Sequence, residues 1–471
     1  MTTSFLSSYS SQLVAYPNPP LILVAYSGGV DSEFLLEMTV SWARRHQCLE
    51  KILAVYVHHG ISKNADLWAQ HCQDRATQLG VKFVVEHVTL SGTGSVEQDA
   101  RQARYAVFAR YLQEAYQGQE KPLLLTAHHQ DDQVETLMLA LKRGSGPTGL
   151  SAMAQHSAFS SGILLRTMLD IPRAYIEEQA KKLGLTWVED ESNADTHYDR
   201  NFFRHEILPP LKKRFTGWNK AVCRSAQLCT EQNLLLDELL SERLQQAWQA
   251  DDTLPFYLQN GLKIDALLGQ SRYLQAALIR AWLQKLNSIQ RLASSDISVM
   301  QQQFSMPSRA QLDRILDTVI EAKTDANPCV NWNNVEIRRY KSVLYAIIDH
   351  PDYSHQRFAL TLDKAQMLPY GLGQVSLNSQ RKSTQDLSLR LPLEKEQVTI
   401  RFGGSGLSVR PQGRQGKRKI KKLYQEYQVP SWMRTRLPLL FYGEQLVAMP
   451  NLFVVEGFQG TVNNQVYFHF C

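Results

Sequence analysis

The sequence predicts an α/β protein: an N-terminal domain built on a Rossmann-like parallel sheet, a helical middle domain and a small mixed α/β C-terminal domain. Three observations predict this order. Short apolar runs alternate with helical periodicity, long helical patterns follow, and short apolar stretches broken by Gly and Pro come last. The chain has 471 residues, which is too long for one compact core, so two or three domains are expected.

Four apolar runs predict buried strands in the first domain, which we place at residues 1–215. Strands that alternate with helical patterns indicate a parallel sheet with helices on both faces. Such sheets bind ligands beyond the carboxyl ends of their strands, where polar motifs stand in this chain. The strands are expected at 21–26, 52–57, 81–88 and 123–127, and the polar motifs are 27–32, 58–60 and 128–135.

The middle domain is placed at residues 216–355 because long helical patterns dominate it. Helices are expected at Cys223–Ala247, Tyr273–Leu286 and about 312–320. The C-terminal domain is placed at 356–471, where apolar stretches such as 439–442 and 446–449 are short and separated by turn residues.

Composition narrows the class of protein. The six cysteines are scattered and form no C-x-x-C pair, so we expect no zinc or iron–sulfur site and a reducing compartment, the cytoplasm. No apolar run reaches the roughly 18 residues of a membrane span, and the first residues lack a secretory signal pattern. Neither a membrane nor DNA is expected as a partner.

The segment Ser27-Gly28-Gly29-Val30-Asp31-Ser32 is predicted to bind ATP. After a buried strand, the glycines allow a sharp turn, so that backbone N–H groups and the following helix N-terminus face an anion. No Lys follows the glycines, so this is not the G-x-x-x-x-G-K-[ST] loop. A carboxylate beside phosphates needs a cation between them, so Asp31 is predicted to be catalytic and to hold Mg²⁺. The alternative is an ordinary strand–helix turn.

The motif SGGVDS resembles the signature of the PP-loop ATP pyrophosphatases, which cleave ATP between the α and β phosphates. Later motifs resemble the tRNA(Ile)-lysidine synthetases within that superfamily, and the similarity covers nearly the whole chain. These motifs are HHGI at 58–61, TAHHQDDQVET at 126–136, KRGSG at 142–146 and DRNFFR at 199–204.

The resemblance implies a reaction. Free L-lysine is ligated to the wobble cytidine of an isoleucine tRNA with a CAU anticodon, which changes its specificity from methionine to isoleucine. Transfer of AMP from ATP to the cytosine carbonyl oxygen supplies a leaving group, and an amine of lysine then displaces AMP.

The resemblance also implies site residues. Asp132 and Glu135 are expected to bind the amines of lysine, because at i and i+3 they share one helix face; the alternative is a capping pair. His129 is expected to contact the phosphates. Arg143 opens a second Gly-rich turn and is expected to contact phosphate or nucleotide.

Two arginines in the last of these motifs have two open interpretations. Arg200 and Arg204 either follow a tRNA backbone or pair with Asp199 or Glu206 on a helix face. Glu33, beside the phosphate loop, would repel phosphates and is therefore expected to point to solvent.

Residues 410–422 carry seven basic side chains and no acidic one. A basic run embedded among apolar strands, leading into a predicted helix, is typical of a phosphate-binding surface, whereas the alternative is a solvated loop. The predicted tRNA contacts are Arg414, Lys417, Arg418, Lys419, Lys421 and Lys422.

Two other functions remain open. One is a PP-loop adenylating ligase acting on another substrate, and the basic run argues against a small molecule. The other is a tRNA-binding module with a degenerate ATP site, against which Ser27, Asp31 and Ser32 argue.

Overall fold

The computed structural model describes residues 3–90, 92, 96–191, 195–249, 259–293, 304–322, 326, 328–348, 353, 355–368, 372–404, 406–461 and 464–470. The chain forms two compact units, Met1–Leu236 and Asp237–Cys471. The three domain ranges given above stay a prediction.

The first unit contains a six-stranded sheet, and each predicted strand is present in it. The strands are β1 (Ile22–Ala25), β2 (Ile52–His58), β3 (Lys82–His87), β4 (Leu123–Leu125), β5 (His156–Phe159) and β6 (Gly162–Leu165). Their order is β3-β2-β1-β4-β6-β5, and all neighbouring pairs are parallel except the β5–β6 hairpin. The predicted parallel sheet is therefore confirmed.

Helices connect the strands of this sheet and continue the chain beyond it. They are α1 (Thr3–Val14), α2 (Val30–Arg45), α3 (Ala65–Leu79), α4 (Val96–Ala115), α5 (Gln130–Lys142), α6 (Pro147–Leu150), α7 (Arg173–Lys182), α8 (Asp199–Phe202), α9 (Leu208–Arg214) and α10 (Trp218–Ala247). Successive residues of β1 belong to different cores: Ile22 and Val24 pack in one apolar cluster and Leu23 in another. A strand buried on both faces is what a parallel sheet between two helical layers requires.

The strand order places the functional motifs. Strand β1 lies between β2 and β4, so the chain changes direction across the sheet at β1. The carboxyl ends of β1 and β4 are adjacent, with Val24 beside Leu125. A crevice at such a switch point is the usual ligand site of an open parallel sheet.

The second unit begins with the rest of α10, followed by α11 (Arg272–Ala293), α12 (Arg309–Arg314) and a π-helical turn, Ile315–Ile320. The helical patterns predicted for the middle region are thus confirmed. The structure adds an antiparallel sheet that the sequence analysis missed, in the order β7-β10-β9-β8. Its strands are β7 (Leu262–Lys263), β8 (Cys329–Trp332), β9 (Val335–Tyr340) and β10 (Val343–Ile348).

The described residues of the C-terminal region form antiparallel sheets, the α-helix α13 (Ile420–Glu426) and a 3-10 turn, Ser431–Met433. Its strands are β11 (Arg357–Ala359), β12 (Ala365–Met367), β13 (Gln374–Asn378), β14 (Leu387–Leu389), β15 (Val398–Arg401), β16 (Ser408–Val409), β17 (Arg418–Lys419), β18 (Leu439–Tyr442), β19 (Gln445–Met449), β20 (Phe453–Val454) and β21 (Val466–Phe470). They form the sheets β11-β15-β18-β19-β20 and β12-β13-β21-β14 and the pair β16-β17.

Across the described residues, no helix combines the length and the apolar character needed to cross a membrane. In the same part of the chain, five cysteines are free thiols, and no group of three or more His, Cys, Asp or Glu side chains is arranged to hold a metal ion.

Candidate active site

The phosphate loop connects β1 to α2 and is fixed by its own serines. The backbone N–H of Ser27 donates to Ser32 Oγ at 3.2 Å, and the Ser32 hydroxyl donates to the Gly29 carbonyl at 3.0 Å. The N-cap of α2 is Gly29, which has no side chain to cap the helix. The first-turn N–H groups of α2 therefore lack intrahelical partners and are available to an anion.

Of the two loop glycines, only Gly28 adopts a left-handed conformation, with φ of +77°. A Cβ atom at Gly28 would lie 2.9 Å from Cys72 Sγ and 3.0 Å from Val188 Cγ2. The loop thus packs closely against α3 and against the segment at Val188, whose N–H donates to the Gly28 carbonyl at 2.9 Å. Glycine is required here both for the backbone conformation and for the close approach.

The expectation that Glu33 points to solvent is wrong. Its relative exposure is 0%, and its carboxylate forms an ion pair with Arg75 of α3, with Oε1 2.5 Å from Nε. The Tyr26 hydroxyl donates to the other oxygen. Arg75 also contacts Glu37 at 2.7 Å. The first turn of α2 packs on α3, so a guanidinium rather than water compensates the Glu33 charge.

Asp31 and His129 face each other across the crevice, as the adjacent carboxyl ends of β1 and β4 require. The distance from His129 Nε2 to Asp31 Oδ2 is 3.6 Å. The other carboxylate oxygen of Asp31, Oδ1, is buried and has no hydrogen-bond partner among the described residues. A buried carboxylate oxygen without a donor is costly, and a cation bound there would remove that cost.

His129 caps α5 in a way that fixes its imidazole. Its Nδ1 accepts from the Asp132 N–H at 3.3 Å, while Asp132 Oδ2 accepts from the His129 N–H at 2.9 Å. The neutral ring therefore carries its proton on Nε2, which faces Asp31. Burial alone lowers the pKa of His129, but interactions with Asp31 and the charge of Asp132 outweigh burial and raise that pKa.

The two predicted lysine-binding carboxylates lie on one face of α5, as their spacing predicted, and both are buried. Glu135 receives a two-pronged contact from Arg204, with Nε to Oε1 at 2.7 Å and Nη2 to Oε2 at 2.9 Å. Asp132 forms the capping box and lies 3.5 Å from Arg204 Nη2. The capping role that we kept as an alternative therefore holds for Asp132, whereas Glu135 has an arginine partner.

Arg200 joins this cluster: its Nε is 3.4 Å from Glu135 Oε2, and its Nη2 donates to Thr136 at 3.1 Å. The sequence suggested Asp199 or Glu206 as ion-pair partners of these two arginines, whereas the structure pairs both with Glu135. In this arrangement both arginines are directed to groups inside the first unit, and their tRNA contacts stay a prediction.

Arg143 is not brought to Asp31 and His129. Helix α5 has 13 residues, with His129 at its N-cap and Arg143 at its C-cap. At about 1.5 Å per residue the two positions lie roughly 20 Å apart along the axis. The side chain of Arg143 is exposed. A nucleotide contact from Arg143 stays a prediction and would require the substrate to extend along α5.

Comparison with known proteins identifies the family. Family profiles match the chain as a PP-loop domain at residues 2–211, a TilS substrate binding domain at 262–345 and a TilS substrate C-terminal domain at 398–469. A tRNA(Ile)-lysidine synthase of Vibrio atlanticus is 43% identical over 454 residues, which are 94% of each chain. Those of Vibrio parahaemolyticus and Photobacterium profundum are each 43% identical, over 97% of both chains. The chain belongs to the tRNA(Ile)-lysidine synthase family. The resemblance found in the motifs is thereby confirmed.

The basic run lies within the range of the matched C-terminal domain of this family. Its helix α13 is anchored by three buried side chains, Ile420, Leu423 and Tyr424. Arg414 differs from the other basic residues, because its guanidinium contacts Glu426 and lies 5.1 Å from the ring centre of Tyr427. The remaining predicted contacts are all exposed: Lys417, Arg418, Lys419, Lys421 and Lys422.

Sequence reasoning missed one group of charged residues in the first unit. Arg101 and Arg104 of α4, together with Arg166 after β6, form no ion pair among the described residues. The spacing of Arg101 and Arg104 at i and i+3 on a helix was a usable signal, because it places both on one face. Nothing in the sequence indicated Arg166.

Proposed function

We propose that this protein joins free L-lysine to the wobble cytidine of a CAU-anticodon isoleucine tRNA, using ATP and releasing AMP and pyrophosphate. The observation that carries the proposal is the phosphate loop with Asp31 at its centre, in a chain 43% identical to tRNA(Ile)-lysidine synthases over nearly its full length. The alternative is another PP-loop adenylating ligase with a different amine or RNA substrate. We place the reaction in the cytoplasm.

The loop supplies ATP binding. The unpaired N–H groups at the start of α2 and the positive ends of α2 and α5 face the crevice and attract phosphates. The orphan Asp31 Oδ1 fits a single Mg²⁺ ligand, since Mg²⁺ is commonly held by one or two carboxylates together with substrate phosphates and water. The ion would neutralise phosphate charge during AMP transfer. The imidazole of His129, with its proton on Nε2, orients the Asp31 carboxylate.

Asp132 and Glu135 supply the anionic side of a lysine site. Glu135 is 1% exposed and already paired with Arg204, so an incoming ammonium group has to replace or share that guanidinium. During such an exchange the buried negative charge of Glu135 always has a cationic partner, either the guanidinium or the ammonium group. A buried carboxylate without any partner would carry an uncompensated charge before the substrate binds. Occupation of the amine site would then free Arg204 to face another anion.

The C-terminal basic run supplies contacts to the RNA backbone. Five exposed cationic side chains on a folded β–α element bind phosphates without reading bases, and such contacts position a long substrate. Base and amino-acid recognition are assigned to the first unit, where the ATP loop lies.

The test is formation of AMP and pyrophosphate from ATP by the full chain, with CAU-anticodon isoleucine tRNA and each amino acid in turn. Product that depends on both lysine and this tRNA is expected. Asp31→Ala should lower the rate about 100-fold or more, because the metal contact acts on the charge developed in transfer. Its tRNA affinity should stay near that of the unaltered protein.

Asp74→Ala is the matched control, an exposed carboxylate on α3 outside the crevice. Equal activity with another amino acid would favour the alternative ligase. An Asp31→Ala protein that forms AMP at the normal rate would exclude the metal role.

A further inference from the structure

Three arginines, Arg101 and Arg104 of α4 and Arg166 directly after β6, lie on segments that follow the carboxyl ends of strands of the parallel sheet, and none forms an ion pair with a described carboxylate. Arg166 is only 8% exposed; its Nη1 donates to the Ala154 carbonyl at 2.8 Å, and its Nε has no hydrogen-bond partner. Arg101 lies over the ring of Tyr105, 4.9 Å from its centre. Arg104 Nη2 is 3.5 Å from His59 Nε2.

This arrangement is electrostatically unfavourable by itself. Burial lowers the pKa of Arg166, and the nearby charge of Arg101 lowers it as well. Asp190 lies within electrostatic reach of Arg104. Groups of like charge held together in a cleft, at a cost to folding, are typical of ligand sites, because a bound anion removes the cost.

We propose that Arg166 and Arg101, with Arg104 at the rim, bind the carboxylate of the amino-acid substrate. The inference rests on the proposed function and adds the site that holds the end of lysine opposite to the amines bound by Asp132 and Glu135.

The position of His128 supports this assignment. Burial lowers its pKa to about 4; the charge of Asp132 raises that pKa, whereas the charges of Arg166, Arg200 and Arg101 lower it. One imidazole therefore lies within electrostatic reach of Asp132 and of the arginines. The geometry agrees, because the Thr126 N–H donates to the Leu165 carbonyl at 3.2 Å, so Arg166 lies beside the segment that carries His128. A zwitterionic amino acid placed along it would contact carboxylates at one end and guanidinium groups at the other.

Other anions fit less well. The phosphates of ATP have the loop at Gly28 and the helix N-termini. RNA phosphates are carried on a bulky backbone that suits exposed cations, whereas the unpaired Nε of Arg166 is buried. A carboxylate is small and planar, and guanidinium groups bind it in two-pronged geometry.

The experiment compares lysine with lysinamide, which keeps both amines but lacks the carboxylate. The kcat/KM of each is measured from AMP release with saturating ATP and tRNA; lysinamide that is not turned over is measured as a competitive inhibitor. Arg101→Met and Arg166→Met should each reduce the preference for lysine over lysinamide by about 10- to 100-fold. The values for lysinamide itself should change little.

Arg110→Met is the matched control, since Arg110 lies on the same helix and pairs with Glu86 at 2.7 Å. Arg101 is exposed, so its variant keeps the test valid if Arg166→Met fails to fold. Equal losses for lysine and lysinamide in an active enzyme overturn the carboxylate site alone. If the preference for lysine over lysinamide is unchanged but tRNA binding is weaker, the carboxylate site is also overturned, and the arginines contact RNA instead. An unaltered protein without lysine-dependent AMP formation overturns the proposed function first.

Discussion

The pairing of Glu33 with Arg75 gives a quantitative prediction about the phosphate loop. Arg75→Met would leave the Glu33 carboxylate, which is 0% exposed, with only the Tyr26 hydroxyl as a partner. Removing one partner of a buried ion pair lowers the free energy of unfolding by about 3–5 kcal/mol. Arg75 is 18% exposed, so partial access of water places the expected loss near the lower end, about 3 kcal/mol.

The second substitution makes the prediction specific to charge. Glu33→Gln removes the charge and keeps an oxygen that accepts from Tyr26. Arg75→Met with Glu33→Gln should therefore recover at least about 1.5 kcal/mol of the loss, since no unpaired charge remains. Glu37→Gln is the control for the more exposed contact of Arg75 and should cost about 1 kcal/mol or less.

The assay is amide hydrogen exchange in peptides from α2 and α3 of the full chain, because a chain of two units need not unfold in a single step. Arg75→Met should speed exchange there by roughly two orders of magnitude. The KM for ATP should also rise, since Glu33 lies in the first turn of α2, and the double variant should restore it. Equal exchange rates in single and double variants would refute the reasoning.

Three further predictions concern other parts of the chain. Gly28→Ala should raise the KM for ATP and lower the free energy of unfolding by at least about 1 kcal/mol, because the φ of Gly28 is +77° and a Cβ atom there would crowd α3. Gly29→Ala is the control and should have neither effect, because the φ of Gly29 is −72°; equal KM values for the two variants would contradict the prediction. Lys417→Glu with Lys419→Glu should weaken tRNA binding and flatten its salt dependence by about one unit of slope per lost phosphate contact, and an unchanged slope would mean a solvated surface only. His59 is kept neutral because burial and the charge of Arg104 lower its pKa to about 4. In this pH range the unfolded chain takes up a proton at His59 that the folded chain does not, so the free energy of unfolding falls as the pH drops from about 6.5 to 4. The decrease in melting temperature between pH 7 and pH 5 should therefore be smaller in His59→Gln than in the unaltered protein.

Local patterns determined much of the fold. The strands β1 to β4 and the long helices were predictable because apolar periodicity records which faces a segment buries. The antiparallel sheet from β7 to β10 was not, since its strands are two to six residues long and lie among stronger helical patterns. Short segments gain their conformation from pairing with other strands, which a local pattern does not report.

The same distinction applies to the site. A contiguous motif was enough to place Asp31 at a phosphate loop, and the order of the motifs indicated the family. Which charges compensate each other was decided only by tertiary structure: Glu33 pairs with Arg75 and Glu135 with Arg204, 42 and 69 residues away. The energy of a charge depends on its burial and on partners within a few ångströms, and folding alone brings such distant residues together.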